Sequence, residues 1–229
     1  MPAPDYADEY AATRARVRAL LAECDEVAAR TVVPACPDWT VHDLCAHLAG
    51  VPASLVARDN PPRGDNQPWV DRQVAERADR SLGELLDEWD AVGPAFEGLM
   101  RKLPHAFGGL IYDAVAHEHD ARGALGRPGE RDSSGVLASL EVMIPMVQRD
   151  LAANGPTPGT LQLHAGDRDW TVGEGAPRVS LITTPFELMR LLGSRRSRTQ
   201  VLAAGWDGDV EPFLPALAHM PLPDREITE

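Results

Sequence analysis

Residues 36–50 read CPDWTVHDLCAHLAG, and this stretch decides the fold that we expect. Thr40 is a favourable N-cap, and Asp43 in the following turn is stabilised by the helix dipole. Apolar residues then recur at helical spacing on one face: Val41, Leu44, Leu48 and Val51. His47 lies on the same face, and Pro52 is expected to kink or end the helix. The stretch therefore predicts a capped helix that carries a histidine into the interior of a helical bundle.

Helical patterns fill most of the first two-thirds of the chain. Apolar residues within 8–30 form one stripe of an amphipathic helix. Ser81 and Glu84 form an S-x-x-E capping box that opens another helix. Further helices are predicted over about 107–125 and 134–153, where Gly and Pro follow the last periodic residues. Together these patterns predict a helical bundle as the first domain.

The sequence pattern changes after residue 154. GPTPG at 155–159 is the linker candidate, so we expect a helical domain over 1–154 and a small α+β domain over 160–229. Alternating apolar residues predict strands at LQLHA (161–165), DWTVG (169–173), RVSLITT (178–184) and TQVLAAG (199–205). Short helices are expected at 185–192 and 212–219.

Composition and charge exclude several classes of protein. The 229 residues include 22 Lys and Arg against 35 Asp and Glu, a formal net charge of −13. This charge disfavours nucleic acid or an anionic membrane as a partner, because both require a positive field. No apolar run reaches the roughly 18 residues of a membrane span, and the acidic N-terminus does not resemble a signal peptide. The three cysteines are Cys24, Cys36 and Cys45. They are expected to be reduced thiols, which predicts a cytoplasmic protein.

The segment YDAVAHEHD at 112–120 has the residues for a metal site. On a helix, Asp113 and His117 lie one turn apart on one face, and Asp120 follows three residues later. His47, on the apolar face of the capped helix, is the natural third ligand. Three protein ligands leave positions open, as in a catalytic metal site. The same residues also fit a buried, hydrogen-bonded His47 and an ordinary polar helix face.

Arginines provide a second candidate site. Four arginines cluster in the second domain: Arg190, Arg195, Arg196 and Arg198. They suit a carboxylate-bearing ligand, since guanidinium binds oxyanions in pairs of hydrogen bonds. They also fit a solvated basic patch that offsets an acidic protein. Cys45 is expected to be a core thiol. Cys36 lies in a predicted loop, and no neighbouring residue marks a base for its thiol.

Three motifs resemble the mycothiol-dependent maleylpyruvate isomerase family, part of the DinB-like superfamily. The first is CPDWTVHDLCAHLAG at 36–50, with Trp39 and His47 at the signature positions. The second is the pattern D-x-x-x-H-x-x-D, formed by Asp113, His117 and Asp120. The third is DRDWTVG at 167–173 followed by ELMRLLGSRRS at 187–197. The resemblance covers nearly the whole chain.

The resemblance implies a DinB-like four-helix bundle that holds a divalent metal, usually zinc, followed by a small α+β domain. It maps the metal ligands onto His47, Asp113 and His117. The family pattern has Glu at the Asp113 position. The shorter Asp implies an ion closer to this helix, weaker binding, or recruitment of a neighbouring donor: Glu118, His119 or Asp120.

The resemblance also implies a reaction, in which the metal activates mycothiol for attack on a small electrophilic substrate. An isomerase would release the thiol again, whereas an S-transferase would leave it attached. Arg190, Arg195 and Arg196 would hold a substrate carboxylate or the polar groups of the thiol. An actinobacterial source is expected, because mycothiol is the thiol of these bacteria. Two alternatives remain: a non-catalytic metal- or ligand-binding protein on this scaffold, and a DinB-like metal-dependent hydrolase.

Overall fold

The computed structural model describes residues 5–153, 159–218 and 220–229. Its contacts divide the chain into two compact units, one formed by 1–129 with Glu229 and the other by 130–228. The predicted linker lies outside the described residues except for Gly159, and His219 of the predicted terminal helix also lies outside them. Among the described helices, none is both long and apolar enough to cross a bilayer.

The first unit is mainly helical. Its elements, in chain order, are α1 (Tyr6–Leu21), α2 (Glu26–Ala29), β1 (Val32–Val33), β2 (Cys36–Thr40), α3 (Val41–Val56), α4 (Gln67–Ala75), α5 (Leu82–Lys102), α6 (Pro104–Phe107) and α7 (Gly109–Ala124). Helix α1 packs on α5 and α7, and α3 packs on the same two helices. The four long helices therefore enclose one core, to which large side chains such as Leu44, Trp89, Phe96 and Ile111 contribute.

The start of α3 follows the sequence prediction closely. The Thr40 hydroxyl accepts a hydrogen bond from the backbone N–H of Asp43, and the Asp43 carboxylate accepts one from the Thr40 N–H. This capping box satisfies two backbone donors at the helix start. The helix does not end at Pro52 but runs on to Val56. Pro52 is buried, so the packing of this helix face outweighs the backbone hydrogen bond that a proline removes.

The stretch before α3 forms a short antiparallel pair of strands where the sequence predicted a loop. Val32 pairs with Thr40 and Val33 with Cys36. The pairing is only two residues long on one side, which is too short for an alternating pattern to reveal. Its consequence is positional, because β2 carries Cys36 and Trp39 directly into the N-terminus of α3.

The second unit combines helices with a three-stranded sheet. Its elements are α8 (Ser134–Ala153), β3 (Thr160–Ala165), β4 (Arg168–Gly173), β5 (Pro177–Thr183), α9 (Pro185–Leu192), α10 (Arg198–Leu202), a 3-10 turn (Glu211–Phe213) and α11 (Leu214–Leu217). Strand β3 is central, antiparallel to β4 and parallel to β5. A helical unit followed by an α+β unit agrees with the predicted fold class at this coarse level, whereas the DinB-like bundle stays a prediction.

Two details of the second unit differ from the sequence prediction. Helix α8 packs on β4, α9 and α11, and the division of the chain falls between Gly129 and Glu130 instead of at 154–160. The predicted strand at 199–205 is wrong, because 198–202 is helical. Ser197 and Gln200 form a capping box there, and this local signal outweighs the strand preference of the apolar residues that follow.

Candidate metal centre

Helices α3 and α7 bring three predicted ligands together. His47 lies on α3 and is 5% exposed, while Asp113 and His117 lie one turn apart on α7. One ligand atom from each side chain lies within 4.8 Å of the other two. The amphipathic pattern explains the placement of His47, since its apolar neighbours hold that face of α3 in the core.

Asp113 stands between the two imidazoles. The His47 Nε2 atom lies 3.2 Å from Oδ2 of Asp113, and the His117 Nε2 atom lies 3.5 Å from Oδ1. Ligand atoms about 2.0–2.1 Å from a tetrahedral zinc ion are roughly 3.3–3.4 Å apart. The Oδ1 atom of Asp113 lies 3.4 Å from Nε2 of His47 and 3.5 Å from Nε2 of His117, close to this value. The donor set therefore fits a divalent ion.

His117 also contacts a second carboxylate on its opposite side. Its Nδ1 atom lies 3.0 Å from Oδ2 of Asp120, whose side chain is fully buried. A neutral imidazole has one N–H, so donation from Nδ1 to Asp120 leaves the Nε2 lone pair facing Asp113. A lone pair and a carboxylate repel each other unless a proton or a metal cation lies between them. This arrangement is typical of a histidine ligand that an outer carboxylate orients.

His47 has a different environment. Its Nδ1 atom is buried and has no hydrogen-bond partner within the described ranges. The ring packs against Trp39, with ring centroids 5.0 Å apart, and Trp39 also lies 5.7 Å from the ring of His117. The indole thus contacts both imidazoles. Ring packing against Trp39 and the contact of Nε2 with Asp113 together orient His47.

The neighbouring donors on α7 have other partners. Glu118 is fully buried and is bound by Arg16 at 2.8 Å and by Arg122 at 3.0 Å. Its carboxylate is therefore committed to linking α1 with α7. Asp120 is turned toward the far nitrogen of His117, so it acts on the orientation of a ligand. In this geometry Asp113 faces the Nε2 atoms of both imidazoles, whereas Asp120 contacts the Nδ1 atom of His117.

Burial shifts the pKa of two nearby groups. Burial raises the pKa of Tyr10 well above its ordinary value, and the negative charge of Asp113 acts in the same direction. The Tyr10 hydroxyl, which accepts a hydrogen bond from Trp89, is therefore a neutral phenol. Burial also raises the pKa of the Cys45 thiol to about 12. Cys45 is fully buried, which confirms the expected core thiol.

The three predicted substrate-binding arginines are all buried in the second unit. Arg190 on α9 is 1% exposed. Arg195 donates to the Gly193 carbonyl, and Arg196 makes two hydrogen bonds to Glu187. These three side chains are therefore not solvated, whereas Arg198 of the same cluster is exposed. Their role in binding a substrate stays a prediction.

Cys36 lies next to a group that the sequence did not reveal. Its Sγ atom is 3.8 Å from Oδ2 of Asp120, although 84 positions separate the two residues. The sequence analysis found no base for this thiol, because the neighbour comes from α7 and not from the surrounding loop. Only the pairing of β1 with β2 and the packing of β1 on α7 bring them together.

Comparison with known protein families supports the resemblance indicated by the motif at 36–50. Residues 10–107 match the family model described as the mycothiol maleylpyruvate isomerase N-terminal domain. This segment is similar to that family. The resemblance predicted from the first motif is thereby confirmed, whereas the second and third motifs lie outside the matched residues. The matched segment contains His47 and Trp39, and it ends before Asp113 and His117. No curated protein and no solved structure matches the chain.

Proposed function

We propose that this protein is a mycothiol-using enzyme that depends on a divalent metal, most simply zinc, and acts as an isomerase or an S-transferase on a small electrophile. The observation that carries the proposal is the position of Asp113 between the Nε2 atoms of His47 and His117. Two imidazoles and a carboxylate are a donor set that several catalytic metals accept. The match to the mycothiol maleylpyruvate isomerase N-terminal domain supports mycothiol as the thiol.

Each residue of the centre has a distinct part in this proposal. His47 and His117 would hold the ion through Nε2, and Asp113 would neutralise part of its charge. When bound, a divalent ion lowers the pKa of a coordinated thiol and so supplies a nucleophilic sulfur at neutral pH. Asp120 fixes the His117 tautomer by accepting its Nδ1–H. Trp39 shields the two imidazoles from water on one side.

The substrate side of the proposal rests on the resemblance. The sulfur would attack an electrophilic carbon, after which an isomerase expels the thiol and an S-transferase retains it. Arg190, Arg195 and Arg196 are proposed to bind a substrate carboxylate or the thiol. Each of these three arginines is a substitution to test, and Arg196 also makes two hydrogen bonds to Glu187.

Metal content is the first test. The protein would be purified without a metal-affinity tag and its metal measured by elemental mass spectrometry beside His47→Ala and His117→Ala. We expect about one ion per chain in the wild type and a fall in both variants, complete in His117→Ala. His105→Ala is the matched control, since this histidine is exposed on α6. A wild type that binds no zinc after incubation would overturn the proposal.

Turnover then separates the reaction classes. Maleylpyruvate and chlorodinitrobenzene would be offered with and without mycothiol, and the products followed by chromatography and mass spectrometry. Isomerisation or S-conjugation that needs both metal and mycothiol supports the proposal. Metal-dependent hydrolysis without thiol would favour the hydrolase alternative. Bound metal with no turnover across the panel would favour a binding protein.

A further inference from the structure

The imidazole of His117 faces potential metal ligands on both of its sides. On the Nε2 side stand His47 and Asp113. On the Nδ1 side stand Cys36 and Asp120, and these two side chains with His117 place their ligand atoms within 4.8 Å of one another. The second group lies outside the proposed metal centre except for His117, which both groups share.

We propose that Cys36, His117 and Asp120 form a second position for a thiophilic divalent cation such as Zn²⁺, Co²⁺ or Cd²⁺. A thiolate, an imidazole and a carboxylate are ligands that zinc accepts, and the thiolate favours soft ions over Mg²⁺ or Ca²⁺. The thiolate and the carboxylate together balance the two charges of the ion. The proposal stands apart from the proposed function, because it needs neither a thiol substrate nor turnover.

The distances suit such an ion. With a metal–sulfur bond of about 2.3 Å and metal–oxygen or metal–nitrogen bonds of about 2.0–2.1 Å, tetrahedral geometry sets the sulfur–oxygen separation at roughly 3.6 Å. The Cys36 Sγ atom lies 3.8 Å from Oδ2 of Asp120. The same oxygen lies 3.0 Å from Nδ1 of His117, against roughly 3.3–3.4 Å in the ideal site. Both separations are within a few tenths of an ångström of the ideal values.

The shared imidazole makes the two positions compete. A neutral imidazole has one lone pair, so it binds an ion through one nitrogen and donates the N–H on the other. With an ion at the first position, Nδ1–H points to Asp120. With an ion at the second position, Nε2–H points to Asp113. Ion binding at the second position also releases the Cys36 thiol proton to the buffer.

The second position has two buried ligands and one partly exposed ligand. Asp120 is 1% exposed and His117 is 5% exposed, whereas Cys36 is partly exposed on β2. A buried carboxylate beside a buried imidazole is a place where a cation is held away from competing water. The half-buried thiol leaves one side open to solvent. An ion can therefore reach the position without unfolding α7.

A cobalt titration tests this proposal on the metal-free full-length chain. Thiolate ligation to Co²⁺ gives a near-ultraviolet charge-transfer band that imidazole and carboxylate ligands do not give. We expect the band in the wild type, its loss in Cys36→Ser and in His117→Ala, and its retention in Cys24→Ser. Cys24 is the matched control because it is a half-buried thiol like Cys36 and its Sγ atom lies 3.7 Å from the Leu20 carbonyl oxygen, outside this cluster.

The variant His47→Ala separates this proposal from the proposed function. It removes a ligand of the first position only. We expect the cobalt band to persist and to strengthen, because less cobalt is then bound at the first position. Absence of the band in both the wild type and His47→Ala would overturn the second position and leave the first untouched. A band that survives Cys36→Ser would also overturn it. Circular dichroism melts of each variant show whether it is folded.

Discussion

Asp120 has the clearest task of any single residue around the metal centre. Its side chain is fully buried, and its Oδ2 atom receives the Nδ1–H of His117 at 3.0 Å. This bond decides which nitrogen of His117 is available to an ion, although Asp120 itself would not touch an ion at the first position. Outer carboxylates of this kind raise the basicity of the histidine and fix its ring.

Replacement of Asp120 by Asn tests that task. The amide keeps the size of the side chain but removes its charge, so we expect the zinc affinity to fall about 10–100-fold. A competition titration against a chelator of known affinity measures the change. Asp38→Asn is the control, because Asp38 is an exposed carboxylate on β2. An unchanged affinity in Asp120→Asn would contradict the proposed role.

Among the elements, α7 depends on α1 through one buried carboxylate. Glu118 of α7 has no exposed side-chain surface, and it accepts hydrogen bonds from Arg16 of α1 and from Arg122. The two arginines are partly exposed, with side chains 19% and 14% accessible. The interaction is costly to break because one partner cannot return to water unless the helices separate.

Glu118→Gln therefore destabilises the first unit. The amide removes the charge that the two arginines share, and we expect a loss of about 3 kcal/mol in the free energy of unfolding. Urea denaturation followed by circular dichroism gives the value. Glu26→Gln, which disrupts an exposed pair with Arg30 at 3.6 Å, should change it by less than about 0.5 kcal/mol. Equal effects of the two substitutions would show that the buried network contributes little.

Sequence predicts these elements well where the signal is local. The Thr40 cap and the apolar face around His47 depend on neighbours within two turns, and the structure keeps both. The pairing of Asp113 with His117 follows from helical spacing alone. The contact of Cys36 with Asp120 depends on tertiary packing, so no pattern along the chain could show it.

Where the structure differs from the expected elements, the reasons are tertiary packing or a competing local signal. Helix α8 has the same periodicity as the helices before it, and periodicity does not state which unit buries the apolar face. Residues 199–205 carry strand-forming side chains, but the capping box at Ser197 commits the segment to a helix. Pro52 breaks isolated helices, whereas here it lies inside a packed one.

The whole chain is two units, and both ligand-bearing helices of the proposed centre belong to the first. An ion held between α3 and α7 links two elements that are distant in sequence. Because such an ion binds the folded state and not the unfolded chain, its binding free energy adds to stability. The strongly acidic composition of the chain adds long-range attraction for cations in general.

Zinc should therefore stabilise one part of the molecule only. At a free zinc concentration 100 times the dissociation constant, the gain is about 2.7 kcal/mol. Scanning calorimetry of the chelated and zinc-loaded protein should show one transition that moves up in temperature. Mg²⁺ at equal concentration controls for the general effect of charge. A shift of the same size in His117→Ala would mean that zinc acts elsewhere on the chain.

The packing of Trp39 on both imidazoles gives the protein an optical reporter of its own. Indole emission responds to what lies within a few ångströms of the ring, and here the neighbours are the two histidines of the centre. A paramagnetic ion such as Co²⁺ should quench this emission in proportion to occupancy, and Trp39→Phe should lose that part of the signal while the other four tryptophans still fluoresce. Ligand arrival and departure can then be timed by fluorescence without any added label.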